Sequence, residues 1–184
     1  SEDIPSHTPS GLPSKTSPYV DNGNYTFTVD DTNMITAYNI VDSSIGYSEK
    51  VTIPGEYDSM ASIFRNSPKN TTLGEVVIGE GFRYIWDQAF LNNYFLDTVT
   101  FPTSLQQVGP NAFQNSGVTD ISFPSGSKLT AIDNLAFANC YSLRSLELPE
   151  GLETIGDNAF QNAVSLTSVK IPASVTSIGA SAFA

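Results

Sequence analysis

Residues 166–183 read LTSVKIPASVTSIGASAF. Leu166, Val169, Ile171 and Pro172 lead to Val175, Ile178 and Gly179, and the stretch closes on Ala182-Phe183. The same order of apolar residues runs back along the chain. Leu143, Leu146, Leu148 and Pro149 are followed by Leu152, Ile155, Gly156 and Ala159-Phe160. Val118, Ile121, Phe123, Pro124, Leu129, Ile132 and Ala136-Phe137 repeat the order with one inserted residue. Leu96, Val99, Phe101, Pro102, Leu105, Val108, Gly109 and Ala112-Phe113 form another copy. Leu73, Val76, Ile78, Phe82, Ile85 and Ala89-Phe90 form one more, with Gly79 at the proline position. Successive phenylalanines stand 23, 24, 23 and 23 residues apart. Upstream, residues 51–54 (VTIP) and Ile63-Phe64 make a degenerate first copy. A fixed period of this length marks a solenoid of stacked coils, in which each unit buries its apolar face against its neighbours.

The alternation x-V-x-I predicts a short strand in each coil, near residues 75–78, 98–101, 120–123, 145–148 and 168–171, paired in parallel. Proline follows because it lacks an N–H and suits the end of a strand. The glycine after the second apolar pair is expected to supply a tight bend. Phe90, Phe113, Phe137, Phe160 and Phe183 should point inward and stack into a spine. Two residues beyond each phenylalanine stands an asparagine: Asn66, Asn92, Asn115, Asn139 and Asn162. Five in register predict a ladder, each amide bonding backbone groups at the turn of its coil. The outward strand column is Val77, Thr100, Ser122, Glu147 and Lys170, which makes Glu147 and Lys170 neighbours able to pair.

Residues 1–22 are rich in Ser, Pro and Thr and poor in apolar residues. Such a segment cannot bury enough surface to offset its ordering entropy, so it reads as a flexible leader. From Asn24 the texture changes. Tyr25, Phe27 and Val29 alternate with threonines, residues 30–33 (DDTN) read as a turn, and a returning strand runs from Met34 to Val41. A β-hairpin over 23–50 would therefore cap the first coil, and residues 51–184 would hold the degenerate copy and five good ones. Asp30-Asp31 reads as turn chemistry, because the alternating ligands of a calcium loop are missing.

The pattern L-x-x-V-x-I-P-x-x-V-x-x-I-G-x-x-A-F-x-N/C resembles the BspA-like, or treponemal-type, leucine-rich repeats. The resemblance covers residues 50–184 and is specific for fold rather than function. It implies a curved, parallel-stranded solenoid with few or no helices, on a bacterial or protist cell surface, often linked with adhesion and with host or matrix contact. Departures are Gly79 for proline, Trp86 and Asp133 for glycine, and an irregular loop at residues 65–72.

Composition narrows the function classes. A formal net charge of -11 repels a nucleic-acid backbone. Hydrophobic residues make up 40% of the chain, enough for a core, yet no apolar run is long enough to span a membrane. The only histidine, His7, lies in the leader, which excludes a histidine-based triad or zinc site in the folded part. Cys140, the only cysteine, shares its column with Asn93, Ser116 and Ala163 and reads as a buried structural thiol. Gly79-Glu80-Gly81 lacks the third glycine of a dinucleotide loop, and nothing marks Glu147 and Glu150 as an acid/base couple. The chain therefore reads as a binding protein and not an enzyme, with no metal and no cofactor.

Two function classes remain: a surface or secreted module that binds protein or glycan, and an architectural spacer holding another domain away from the cell. Tyr84, Trp86, Tyr94 and Phe95 are aromatic at positions that are polar or small in most other copies. They suit a binding patch, or else they cover the loop at 65–72 or the N-terminal cap, the commoner arrangement for isolated apolar groups. Asn24-Tyr25-Thr26 and Asn70-Thr71-Thr72 fit the glycosylation pattern, which has meaning only in a eukaryotic secretory pathway. An extracellular chain would have shed its targeting segment, with any lipid anchor on the part removed. The last copy stops one residue after Phe183, so further repeats are expected in the natural protein; the competing expectation is weak end-to-end association of an otherwise monomeric chain.

Overall fold

The computed structural model of the protein describes residues 15–16, 25–40, 50–60 and 73–184. The leader at 1–22 lies outside the described residues apart from Lys15–Thr16, as do Ile63-Phe64, Asn66 and the loop at 65–72. Strand β1 (Lys15–Thr16) pairs antiparallel with β2 (Tyr25–Val29), and β2 with β3 (Met34–Ile40), through a bulge at Thr28/Val29. The hairpin turn is built by Asp30. Its Oδ1 accepts from Thr32 N at 2.8 Å, Thr32 Oγ1 at 2.7 Å and Met34 N at 3.1 Å, while Asn33 takes a φ of 65°. A carboxylate occupied by its own turn is an Asx-type turn rather than an ion site.

Beyond the hairpin each coil but the last contributes two short strands, not one. The first of each pair is the expected V-x-I segment: β4 (Lys50–Ile53), then β6 (Glu75–Ile78), β8 (Thr98–Thr100), β10 (Asp120–Ile121) and β12 (Ser145–Leu146). The second falls on the x-I pair before the glycine position: β5 (Ser59–Met60), β7 (Tyr84–Ile85), β9 (Gln107–Val108), β11 (Ala131–Ile132), β13 (Thr154–Ile155) and β14 (Ser177–Ile178). These second strands make the longer sheet, in the order β1-β2-β3-β5-β7-β9-β11-β13-β14, parallel from β3 onward. The hairpin thus continues the solenoid's own sheet, with Met34 beside Ser59 and Ile35 beside Met60.

The first strands do not stack without interruption. β4-β6-β8 form one parallel sheet and β10-β12 another. At residues 168–171 the expected strand shrinks to a single parallel bridge between Glu147 and Lys170. Those two residues are neighbours as expected, but no ion pair joins their exposed side chains. The break between β8 and β10 has a cause in the sequence. Phe113 to Val118 is one residue shorter than Phe90 to Leu96, and Pro124 to Leu129 is two residues longer than Pro102 to Leu105. The single insertion in the period is the sum of these two changes, so this coil is out of phase over its first strand and regains register by Leu129. Phe101 and Phe123 stack across the break at 4.7 Å.

Inside, Phe90, Phe113, Phe137 and Phe160 are buried, and consecutive rings lie 5.2, 5.3 and 5.4 Å apart, tilted by no more than 11°. Phe183, the last ring of the stack, continues it at 5.3 Å and is 39% exposed. Leu96, Val108, Ile132 and Leu152 complete the core around the spine. The repeat glycines do not turn the chain as expected. Gly109, Gly156 and Gly179 are not among the residues with positive φ. A Cβ on Gly156 would lie 2.5 Å from Asn134 N and on Gly179 2.4 Å from Asp157 N. These glycines allow one coil's backbone to press on the next; they do not make the bend. The bends come from two columns in the left-handed region: Gln88, Asn111, Leu135, Asn158 and Ser181 just before Ala-Phe, and Asn92, Asn115, Asn139 and Asn162 just after it. Among the described residues no helix is long and apolar enough to cross a membrane.

Candidate functional site

The asparagine column forms one side of the solenoid, and its bonding differs from the expectation. Asn115 Nδ2 donates to Asn92 Oδ1 at 2.6 Å, Asn139 Nδ2 to Asn115 Oδ1 at 2.9 Å, and Asn162 Nδ2 to Asn139 Oδ1 at 2.8 Å. The side chains bond to one another from coil to coil, and the backbone N–H groups do the backbone bonding: Asn92 N donates to Gln114 O at 3.0 Å and Asn139 N to Gln161 O at 2.8 Å. Left-handed φ values near 60° turn each amide along the stack, and asparagine takes that conformation more readily than other residues with a Cβ.

Immediately after the ladder the chain makes a tight turn between two buried residues. Leu96 N donates to Asn93 O at 3.1 Å, Leu143 N to Cys140 O at 3.1 Å and Leu166 N to Ala163 O at 3.0 Å. The first and last residues of each turn are held by the core, or close to it, so the two central ones are driven outward. These are Tyr94 and Phe95, Tyr141 and Ser142, and Val164 and Ser165. Tyr94 is 64% exposed, Phe95 70%, Tyr141 56% and Val164 75%. The coil between the first two has a turn one residue shorter, with Gly117 in it, and a Cβ there would lie 2.7 Å from Tyr94 O. These four are among the six exposed large apolar side chains of the described residues, and they share one corner.

Tyr84 and Trp86 stand elsewhere. They flank Ile85 on β7 and face outward from the long sheet, half-buried, with their rings stacked at 5.6 Å. The Arg83 guanidinium lies 5.1 Å from the Tyr84 ring centroid and forms a bidentate pair with Asp58, with Nη2 3.0 Å from Oδ2. That pair holds the guanidinium above its usual range. Tyr84 OH donates to Gln106 Oε1 at 3.1 Å, and Gln107 Nε2 to Asp133 Oδ2 at 2.9 Å. Burial raises the Asp133 carboxyl above its usual value, the Gln107 bond opposing it. Among the described residues no ring contact joins Tyr84 or Trp86 to Tyr94 or Phe95. The four aromatics therefore form two separate surfaces rather than one cluster, because Tyr84 lies on β7 with Trp86 just past its end, and 94–95 lie in the turn past the phenylalanine.

Cys140 lies beneath the corner, fully buried, with Sγ 3.3 Å from Ser116 Oγ and 3.5 Å from Phe113 O. Burial pushes its thiol up to about 11. At neutral pH it is protonated and a poor nucleophile. Among the described residues no group of three or more His, Cys, Asp or Glu side chains is placed to hold a metal ion.

Residues 61–184 match the sequence profile of the BspA type leucine rich repeat region, in six copies. The chain belongs to the BspA-type leucine-rich-repeat family. The copies of this BspA-type chain extend through the turns that carry Tyr94, Phe95, Tyr141 and Val164, so the exposed corner is built by the repeat itself. No curated protein matches the chain by sequence. Among solved structures it is similar to a leucine rich cell surface protein from Faecalibacterium prausnitzii, with a TM-score of 0.59 and 25% identity over 95% of this chain and 52% of that one. A leucine-rich repeat protein from Eubacterium ventriosum gives a TM-score of 0.62 at 21% identity, over 88% of this chain and 50% of that one. The leucine rich repeat protein of T. pallidum gives 0.54 at 22%, over 79% and 77%. The BspA-type chain thus spans about half the length of the first two.

Tyr141 and Val164 did not emerge from the sequence as site residues. The signal was available: aligning the copies on their asparagines places both in the column of Tyr94.

Proposed function

We propose that this BspA-type chain is a non-enzymatic, cell-surface binding module, and that it meets a protein or glycan partner through the corner carrying Tyr94, Phe95 and Tyr141. The observation that carries the reading is the exposure of these aromatics, more than half of each, in tight turns whose flanking residues are tied into the core. Aromatic side chains are rigid and amphipathic, and they dominate contact energies where they are desolvated by a partner. The resemblance to a bacterial protein described as cell surface supports display outside the cell. Tyr84 and Trp86 serve as a second, less exposed contact surface. The partner is neither nucleic acid nor an anionic membrane, since the chain carries 19 acidic against 8 basic residues.

The test is a screen of the labelled protein against immobilised glycans and extracellular proteins, repeated with a Tyr94→Ala/Phe95→Ala/Tyr141→Ala variant. At least one ligand should be retained by the native chain and weakened about tenfold or more in the variant, with an unchanged melting temperature. Ligands bound equally by both proteins would place the contact surface elsewhere.

A further inference from the structure

The exposed corner has a gap at its centre. Tyr94 and Tyr141 occupy the same place in turns two coils apart, and the coil between them presents only Gly117, packed against the Tyr94 carbonyl. No side chain at that column stands between the two tyrosines. With coils about 4.8 Å apart, the tyrosines repeat at roughly 10 Å along the solenoid. We propose that this corner holds an extended, uncharged β-1,4-linked glycan lying along the stack, with Tyr94 and Tyr141 against every second sugar and the intervening one over Gly117. The inference rests on the binding-module reading above and names its ligand class.

Three observations favour such a chain over a protein surface. A periodic spacing of rings with a bare step between them suits a periodic ligand, whose alternate residues present the same apolar C–H face. The strand side of the corner carries exposed carboxylates, Asp97 and Asp120, one and two residues beyond the turns; Thr98 Oγ1 donates to Asp97 Oδ1 and Thr119 Oγ1 to Asp120 Oδ2, and the other oxygen of each can accept from a sugar hydroxyl. Arg144, the basic group there, is already paired with Asp120 at 3.3 Å. Among the described residues an acidic glycan would therefore meet the Asp97 carboxylate with no unpaired cation beside it, whereas a neutral one meets acceptors for its hydroxyls.

Titration calorimetry of the whole chain with neutral β-1,4-linked hexasaccharides of glucose, mannose and N-acetylglucosamine tests this. Their disaccharides and a hexagalacturonate serve as comparisons. At least one neutral hexasaccharide should bind, about tenfold or more tighter than its disaccharide, with the hexagalacturonate not binding. Tyr94→Ala and Tyr141→Ala should each cost about tenfold or more, Tyr141→Phe should keep binding, and Ser177→Ala, on the exposed β14 of the other sheet, should leave it unchanged. No binding at millimolar sugar would overturn the proposal, as would equal affinity for disaccharide and hexasaccharide or indifference to Tyr94 and Tyr141. Protein capture that depends on the tyrosines, with no sugar binding, would overturn the glycan assignment and leave the binding-module reading standing.

Discussion

Leu135 adopts a φ of 60° in the column where Asn111 and Asn158 stand in neighbouring coils. A branched apolar side chain in that region costs about 1–2 kcal/mol, a strain asparagine largely avoids. Leu135→Asn is therefore expected to raise unfolding stability by about 0.5–1 kcal/mol, part of the relief being spent on lost burial of a half-buried leucine. Urea titration measures it, and a lower midpoint would mean that Leu135 contributes more by packing than its backbone costs. The ladder asparagines separate two effects. Asn139→Gly keeps an easy left-handed φ and loses only the side-chain bonds to Asn115 and Asn162, about 1–2 kcal/mol in all. Asn139→Ala loses the same bonds and adds about 1 kcal/mol of backbone strain. Equal losses in the two variants would show that the backbone conformation is not what selects asparagine there. The asparagine column was legible in the sequence; its bonding partner was not. An amide at a turn can reach its own backbone or the next amide, and only the coil spacing together with the left-handed φ decides between them.

At the scale of the strand, the sequence reveals what alternates and hides what does not. V-x-I segments such as residues 75–78 announce themselves, because a buried residue recurs every second position. β9, β11 and β13 are two residues long and bury one side chain each, so no alternation exists to be read, yet they form the longer sheet. The aromatic surfaces divide for the same reason: Tyr84 belongs to this sheet with Trp86 at its edge, and Tyr94 and Phe95 to a turn. On the outer face of that sheet Asp133 stands where Gly156 and Gly179 stand in later coils, and burial raises its carboxyl above the ordinary range. A group that binds its proton more tightly in the folded chain adds stability at pH below its unfolded pKa, and that stability is lost as pH rises through the folded pKa. Asp133→Asn is uncharged throughout and still offers an oxygen to Gln107. It should be the more stable protein at pH 7, with the difference shrinking below about pH 4. A difference independent of pH, followed by thermal melts from pH 3 to 8, would assign the effect to shape rather than charge.

For the whole molecule, stability passes from coil to coil, since each coil bonds only to its neighbours. Phe137 stacks on both Phe113 and Phe160, so its loss interrupts the spine in the middle. Phe137→Ala should cost about 3–5 kcal/mol. Amide exchange should quicken most in β9, β11 and β13, while β2 and β3 keep their protection. Uniform acceleration along the chain would show a single cooperative unit instead. The amide ladder adds a property that no single coil possesses. Every bond in it runs the same way, the Nδ2 of the later coil donating to the Oδ1 of the earlier one. Side-chain dipoles placed head to tail polarise one another, and their moments sum. The row is thus a wire with a sign: its oxygens point toward higher residue numbers and its N–H groups toward the hairpin. A coil stacked on the later side of any ladder asparagine is received by an oxygen and must bring a donor, so the solenoid has a polarity of assembly written on its surface as well as in its backbone.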